Sequence, residues 1–215
     1  DVVDITDFDV VAWLKMEMRM MLDEEIARAI LVGDGRSSSD DDKINEMCIR
    51  PIASDADLYC VKAPVSVAAA ATEDDIAKAF IRTVIKSRKE YKGSGSPTLF
   101  TTEDVITNCL LLEDKNGRVI YDTVDKLATA LRVKVAVEVM ENAKTKVNEV
   151  EKPLMAIMVN LVDYYVGADK GGAINMFDDF DIDSNQQKYL METRCSGALV
   201  KPYSAVAVAL DKAEA

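Results

Sequence analysis

The sequence predicts an α+β chain, and three observations carry that reading. The stretch Phe8–Val32 reads as one long helix without proline or glycine. Helical and strand-like segments then follow one another with no regular βαβ repeat, which disfavours a doubly wound sheet. The stretch Tyr164–Val208 breaks into alternating runs punctuated by Gly and Asp pairs.

Each element has a local warrant. Thr6 or Asp7 can cap the first helix and Gly33 can end it. At 1.5 Å per residue that rod is about 37 Å long. It carries two apolar stripes, Val11/Leu14/Met18/Met21/Leu22/Ala29/Val32 and Trp13/Met16/Met20/Ala27/Leu31. One stripe suffices for a helix at the edge of a domain. The second implies a helix central to its own domain, or a face that meets another chain. Ser37–Asp42 is a polar loop. Asp57–Val67 looks like a strand, with Pro64 marking an edge. Thr72 caps a helix over Glu73–Tyr91. Its basic residues crowd toward the C-terminal half, as a solvated face or a contact with an acidic patch on a neighbouring subunit. Thr98–Thr101 is a short strand, and a helix capped by Thr101 or Thr102 runs to Leu112. Lys115-Asn116-Gly117 is a turn, and another helix covers Val124–Leu131. Arg132–Met140 alternates as a half-buried strand. Leu154–Val166 is strand-like, and Ala173–Phe177 continues after the Gly171-Gly172 turn.

Composition narrows the chemistry. The chain has 215 residues, 49% of them apolar and 30% charged, enough for a substantial core. No apolar run approaches the ~18 residues of a membrane span. The first residues are acidic and lack the basic-then-apolar pattern of a signal peptide. Cys48, Cys60, Cys109 and Cys195 show no CxxC spacing and read as reduced thiols. Histidine is absent, which removes the commonest general base and most zinc chemistry. A formal net charge of −12 opposes nonspecific binding of nucleic acid over the whole surface.

The best candidate for chemistry is the acidic step from Asp181. Asp181, Asp183, Asn185 and Glu192 follow calcium-loop spacing, but Gln186 stands where the loop needs glycine. Same-side carboxylates of a strand lie ~7 Å apart, too far to enclose calcium without other ligands. The step reads as a solvated acidic turn or an inter-subunit salt-bridge element. Gly33-Asp34-Gly35 follows a helix rather than a strand and reads as a helix stop. Ser196-Gly197 lacks the G-x-S-x-G elbow. No catalytic, cofactor or metal residue is assigned; a metal-dependent enzyme built on the Asp step is the least favoured alternative.

Three segments, in order, resemble tailed-bacteriophage major capsid proteins: Trp13–Arg36, Leu99–Tyr121 and Tyr164–Val208. The first resembles the family's spine helix and closing Gly-Asp-Gly turn. The last resembles its Gly-rich hairpin, acidic FD-FDID step and GAL-KPYSA turn. The resemblance implies a phage major-capsid-type fold. Residues 1–63 and 172–215, with the spine helix at 8–32, would form a peripheral domain, and 64–171 an axial domain. It implies self-assembly into hexamers and pentamers of an icosahedral shell enclosing double-stranded DNA, without sequence-specific binding or a cofactor. The shell would be a virion capsid, assembled in the host bacterial cytoplasm, with scaffold, protease, portal or decoration proteins as further partners and no membrane. An encapsulin-type compartment shell is the alternative. Subunit-contact candidates are Trp13, Met20, Asp169, Lys170, Asp179, Asp181 and Arg194. Family members carry an N-terminal arm and a long hairpin loop before the spine helix, so the expectation here is a trimmed core that does not close shells alone.

Overall fold

The computed structural model describes residues 2–37, 39–137, 143–147, 150–169, 172 and 174–213. Helix α1 spans Val2–Leu31, starting upstream of both expected caps. Nothing before Gly33 breaks it, and each added residue gains a hydrogen bond once the helix exists. Gly33 ends it at φ 92°, with its N–H donating to the Arg28 carbonyl at 3.0 Å.

A six-stranded mixed sheet forms the centre. Its path runs through β1 (Cys60–Val67), the C-terminal strand Ala205–Lys212 (β10), β5 (Val150–Val159), β2 (Thr98–Thr101) and β3 (Lys134–Val137), with β4 (Lys144–Val147) paired to β5. β1 and β10 are parallel, as are β2 and β3, while β5 runs antiparallel to β10, β2 and β4. The period of two then sorts side chains to two faces. Val206 and Val208 of β10 join one core with Ala77, Phe80 and Val84 of α2 (Glu73–Ser87), Cys109 of α3 (Glu103–Leu110), and Leu127 and Leu131 of α4 (Val124–Leu131). Ala205 and Ala207 face the other way, into a core with Leu31, Ile52, Phe100, Ile157 and Leu199. A bulge at Met155 lets Val208 pair with Ala156 and Ala209 with Leu154. The Met155 carbonyl accepts a hydrogen bond from the buried Thr101 hydroxyl at 2.8 Å.

Several expected boundaries move. Residues before Cys60 form a turn, Tyr59 N–H donating to the Ala56 carbonyl at 2.8 Å, so β1 starts later than Asp57. Helix α2 stops at Ser87, whose hydroxyl donates to the Val84 carbonyl. Arg132 is the left-handed cap of α4 at φ 56° rather than a strand residue. The expected strand Leu154–Val166 is two strands. Asn160 takes the Val162 N–H on its side chain, a 3₁₀ turn covers Leu161–Asp163, and β6 (Tyr164–Ala168) starts anew. Strand β4 was not expected; its Thr145 and Val147 are buried, but a strand of four residues, two of them lysines, gives little periodic signal.

Strand β10 (Ala205–Lys212) lies hydrogen-bonded between β1 and β5. Its Val/Ala alternation, buried on both faces, fits only inside a sheet.

Candidate assembly surfaces

Helix α1 is held mainly at its C-terminal end. Ala29 and Leu31 are buried, and the Ile52 and Ala53 N–H groups donate to the Ile30 and Leu31 carbonyls, each at 2.9 Å. Asp34 fixes the turn beyond. Its buried carboxylate accepts from Ile44 N–H at 2.6 Å, Lys43 Nζ at 2.8 Å and Arg36 N–H at 3.2 Å. Burial raises the Asp34 pKa, but these donors outweigh it and hold the carboxyl below its usual range. Arg36 in turn pairs with Glu25 at 2.6 Å, tying the loop back to the helix.

Upstream of that anchor one apolar stripe stays uncovered. Trp13 is 56% exposed, Met16 64% and Met20 49%. The chain buries the Ala29 and Leu31 ends of the two stripes; Val11, Leu14, Met18 and Leu22 of the first are half-buried, and Trp13, Met16, Met20 and Ala27 of the second are exposed. Burying one such side chain contributes roughly 1.5–3 kcal/mol, so this face favours association.

A second open surface is the hairpin of β7 (Asn175–Asp181) and β8 (Gln186–Glu192). Phe177 pairs with Leu190, Asp179 with Lys188 and Asp181 with Gln186 on one face; Met176, Asp178 and Phe180 oppose Met191, Tyr189 and Gln187 on the other. Lys15 Nζ of α1 stands 5.5 Å from the Tyr189 ring centre, so the second face meets the helix. Phe177, Phe180, Ile182 and Leu190 are all exposed. Asp181 pairs with Lys188 at 2.5 Å, and that hydrogen bond holds its carboxyl below the usual range. Asp183 N–H donates back to Asp181 at 3.1 Å, and Asn185 turns the chain at φ 52°. The calcium-like spacing thus lies across a hairpin turn. Among the described residues no group of three or more His, Cys, Asp or Glu side chains is placed to hold a metal ion.

The third surface is the end of the ladder between β6 and β9 (Cys195–Leu199). Asp169 N–H donates to the Arg194 carbonyl at 3.2 Å, which brings these two candidates together through the backbone, with both side chains exposed. Lys170 lies outside the described residues. Gly197 lets this ladder close: a Cβ there would lie 2.5 Å from the Tyr164 ring. Tyr164 Oη donates to the Arg50 carbonyl at 3.1 Å.

A model of the phage capsid family matches residues 1–210. The chain belongs to the phage capsid family. Its role is therefore structural rather than enzymatic. No match was found among curated proteins. The fold is similar to that of a solved Gordonia phage Cozz chain, with TM-score 0.55 and 14% identity over 96% of this chain and 64% of that one. A Mycobacterium phage Bobi chain gives TM-score 0.52 and 14% identity over 88% and 61%. The capsid of an empty GTA particle gives 0.57 and 12% over 94% and 65%. This family member thus spans under two thirds of the length of each of these chains. Their likeness is one of fold: a long N-terminal helix with a mixed sheet.

The sequence pointed to Trp13, Met20 and the acidic step, but not to the apolar residues Phe177, Phe180, Ile182 and Leu190 beside it. Phe177 and Leu190 share one face of the hairpin and Phe180 takes the other, so no stripe with a period of two marks them.

Proposed function

We propose that this capsid-family chain is a major capsid protein, the repeating subunit of an icosahedral shell of hexamers and pentamers that encloses double-stranded DNA. The family match across residues 1–210 carries the reading. The open apolar face of α1 and the two-sided hairpin support it, because a monomer gains nothing from leaving Trp13 and Ile182 in water. Such shells reuse one surface in slightly different settings, which suits many modest contacts. The proposal includes a virion location, assembly in the cytoplasm of a bacterial host, and scaffold, protease, portal or decoration proteins as partners. It keeps two units. The peripheral one comprises 1–63 and 172–215 and the axial one 64–171, with strand β10 of the former paired to β1 and β5. Trp13, Met20, Asp169, Asp179, Asp181 and Arg194 remain contact candidates. Electron microscopy of the protein produced with its neighbouring genes tests this. Regular shells or capsomers are the expected result. A strictly monomeric product at high concentration, with none of these, refutes it.

A further inference from the structure

One cleft, of about 920 Å³, stands apart from the surfaces above. Val61, Val147 and Tyr203 are among its apolar lining, and Lys62, Lys92 and Lys146 are among its charged residues. This is unusual on a chain with a formal net charge of −12. Two of the cleft's acids are matched within the chain: Asp55 pairs with Arg50 at 2.5 Å and Glu90 with Lys89 at 3.7 Å. Among the described residues, Lys62, Lys92 and Lys146 have no carboxylate within ion-pair distance. Lys62 donates instead to the Ala53 and Asp55 carbonyls, at 2.7 and 3.0 Å. Lys92 stands over the Tyr203 ring at 5.1 Å. The cleft thus offers apolar surface flanked by ammonium groups, with Asp57 as its one unmatched acid.

The tip of the β7–β8 hairpin has the opposite character. Ile182, 83% exposed, projects between Asp181 and Asp183, and the hairpin over 175–192 holds five acids against one lysine. The other acidic loop, Asp40–Asp42, lacks an apolar residue. Its Asp40 already accepts from Ser37 N–H, and its Asp42 pairs with Arg36. None of the cleft-lining residues belongs to the hairpin. We propose that the cleft receives the acidic hairpin tip of a second copy of this chain, Ile182 against the apolar lining and Asp179 and Asp183 against Lys92 and Lys146. This rests on the shell reading and names one contact within it.

The test uses two variants of the full chain. One reverses the cleft (Lys92→Glu with Lys146→Glu) and the other reverses the tip (Asp179→Lys with Asp183→Lys). Association is followed by sedimentation velocity, and contacts by zero-length carbodiimide cross-linking of mixed ¹⁴N and ¹⁵N protein. Each variant alone is expected to associate about tenfold more weakly than wild type, since like charges then face each other. Mixing the two restores association, because basic tip meets acidic cleft and acidic tip meets basic cleft. Wild type yields isotopically hybrid cross-links between the hairpin and Lys92 or Lys146. Association unchanged in both variants, or without such cross-links, overturns the contact and leaves the shell reading standing. A wild-type chain that does not associate at all overturns the contact, while the shell reading is decided separately by the product made with its neighbouring genes. Circular dichroism of each variant identifies any that fails to fold. For such a variant, the wild-type cross-links alone decide.

Discussion

Replacing Asp34 with alanine tests the claim that one buried carboxylate sets the exit of α1. The side chain accepts three hydrogen bonds, from Ile44 N–H, Lys43 Nζ and Arg36 N–H, at 2.6, 2.8 and 3.2 Å. Each buried donor left without its partner costs about 1–3 kcal/mol. Ile44 and Lys43 are only half-buried, so water recovers part of this. A net loss of about 2–4 kcal/mol follows, and for a chain of this size that lowers Tm by about 5–15 °C. Asp34→Asn retains one acceptor and loses the charge, so it falls between. The pH dependence has a fixed sign. The folded-state pKa lies below the usual 3.8, so the contribution is present above that value and fades as pH falls through the folded pKa. Urea melts by circular dichroism at several pH values measure both. Asp41→Ala, an exposed neighbour, serves as control and should shift stability by under about 0.5 kcal/mol. If Asp34→Ala melts within about 2 °C of wild type at neutral pH, the buried network does not anchor the turn and the reasoning fails.

Two further outcomes follow from the geometry. Gly197→Ala should lose about 1–3 kcal/mol, since its Cβ would sit 2.5 Å from a Tyr164 ring carbon. Adding Tyr164→Phe should not relieve that loss, because the clashing ring atom stays; thermal melts of both variants check this. Trp13→Ser with Met20→Ser should leave the melting curve within about 0.5 kcal/mol of wild type, both side chains being half exposed or nearly so. Light scattering of the same variant should show weaker self-association, and unchanged association would remove α1 from the list of contact faces.

Read alone, the sequence determined the elements whose stability is local. Helix α4 runs over Val124–Leu131 as expected because Thr123 caps it and its apolar spacing is helical. Strand β2 and the cap of α2 at Thr72 are legible for the same reason: a capping side chain and a short alternation act within a few residues. Gly33 announced the end of α1, since few other residues adopt φ 92° without strain. The α+β class, and the family itself, were likewise legible from ordered motifs. Tertiary structure decided what depends on distant partners. The break at Asn160–Asp163 exists because Asp163 accepts Ser94 N–H and Oγ, each at 2.6 Å, from a loop far away in the chain. Strand β10 sits at the heart of the sheet because β1 and β5 bring their edges to it, and no local pattern encodes which strand lies beside which. The two apolar stripes of α1 were visible in the sequence. That the chain buries the helix end and leaves Trp13 and Met20 open was decided by where the sheet lies, because burial is a property of what surrounds a residue and not of the residue itself.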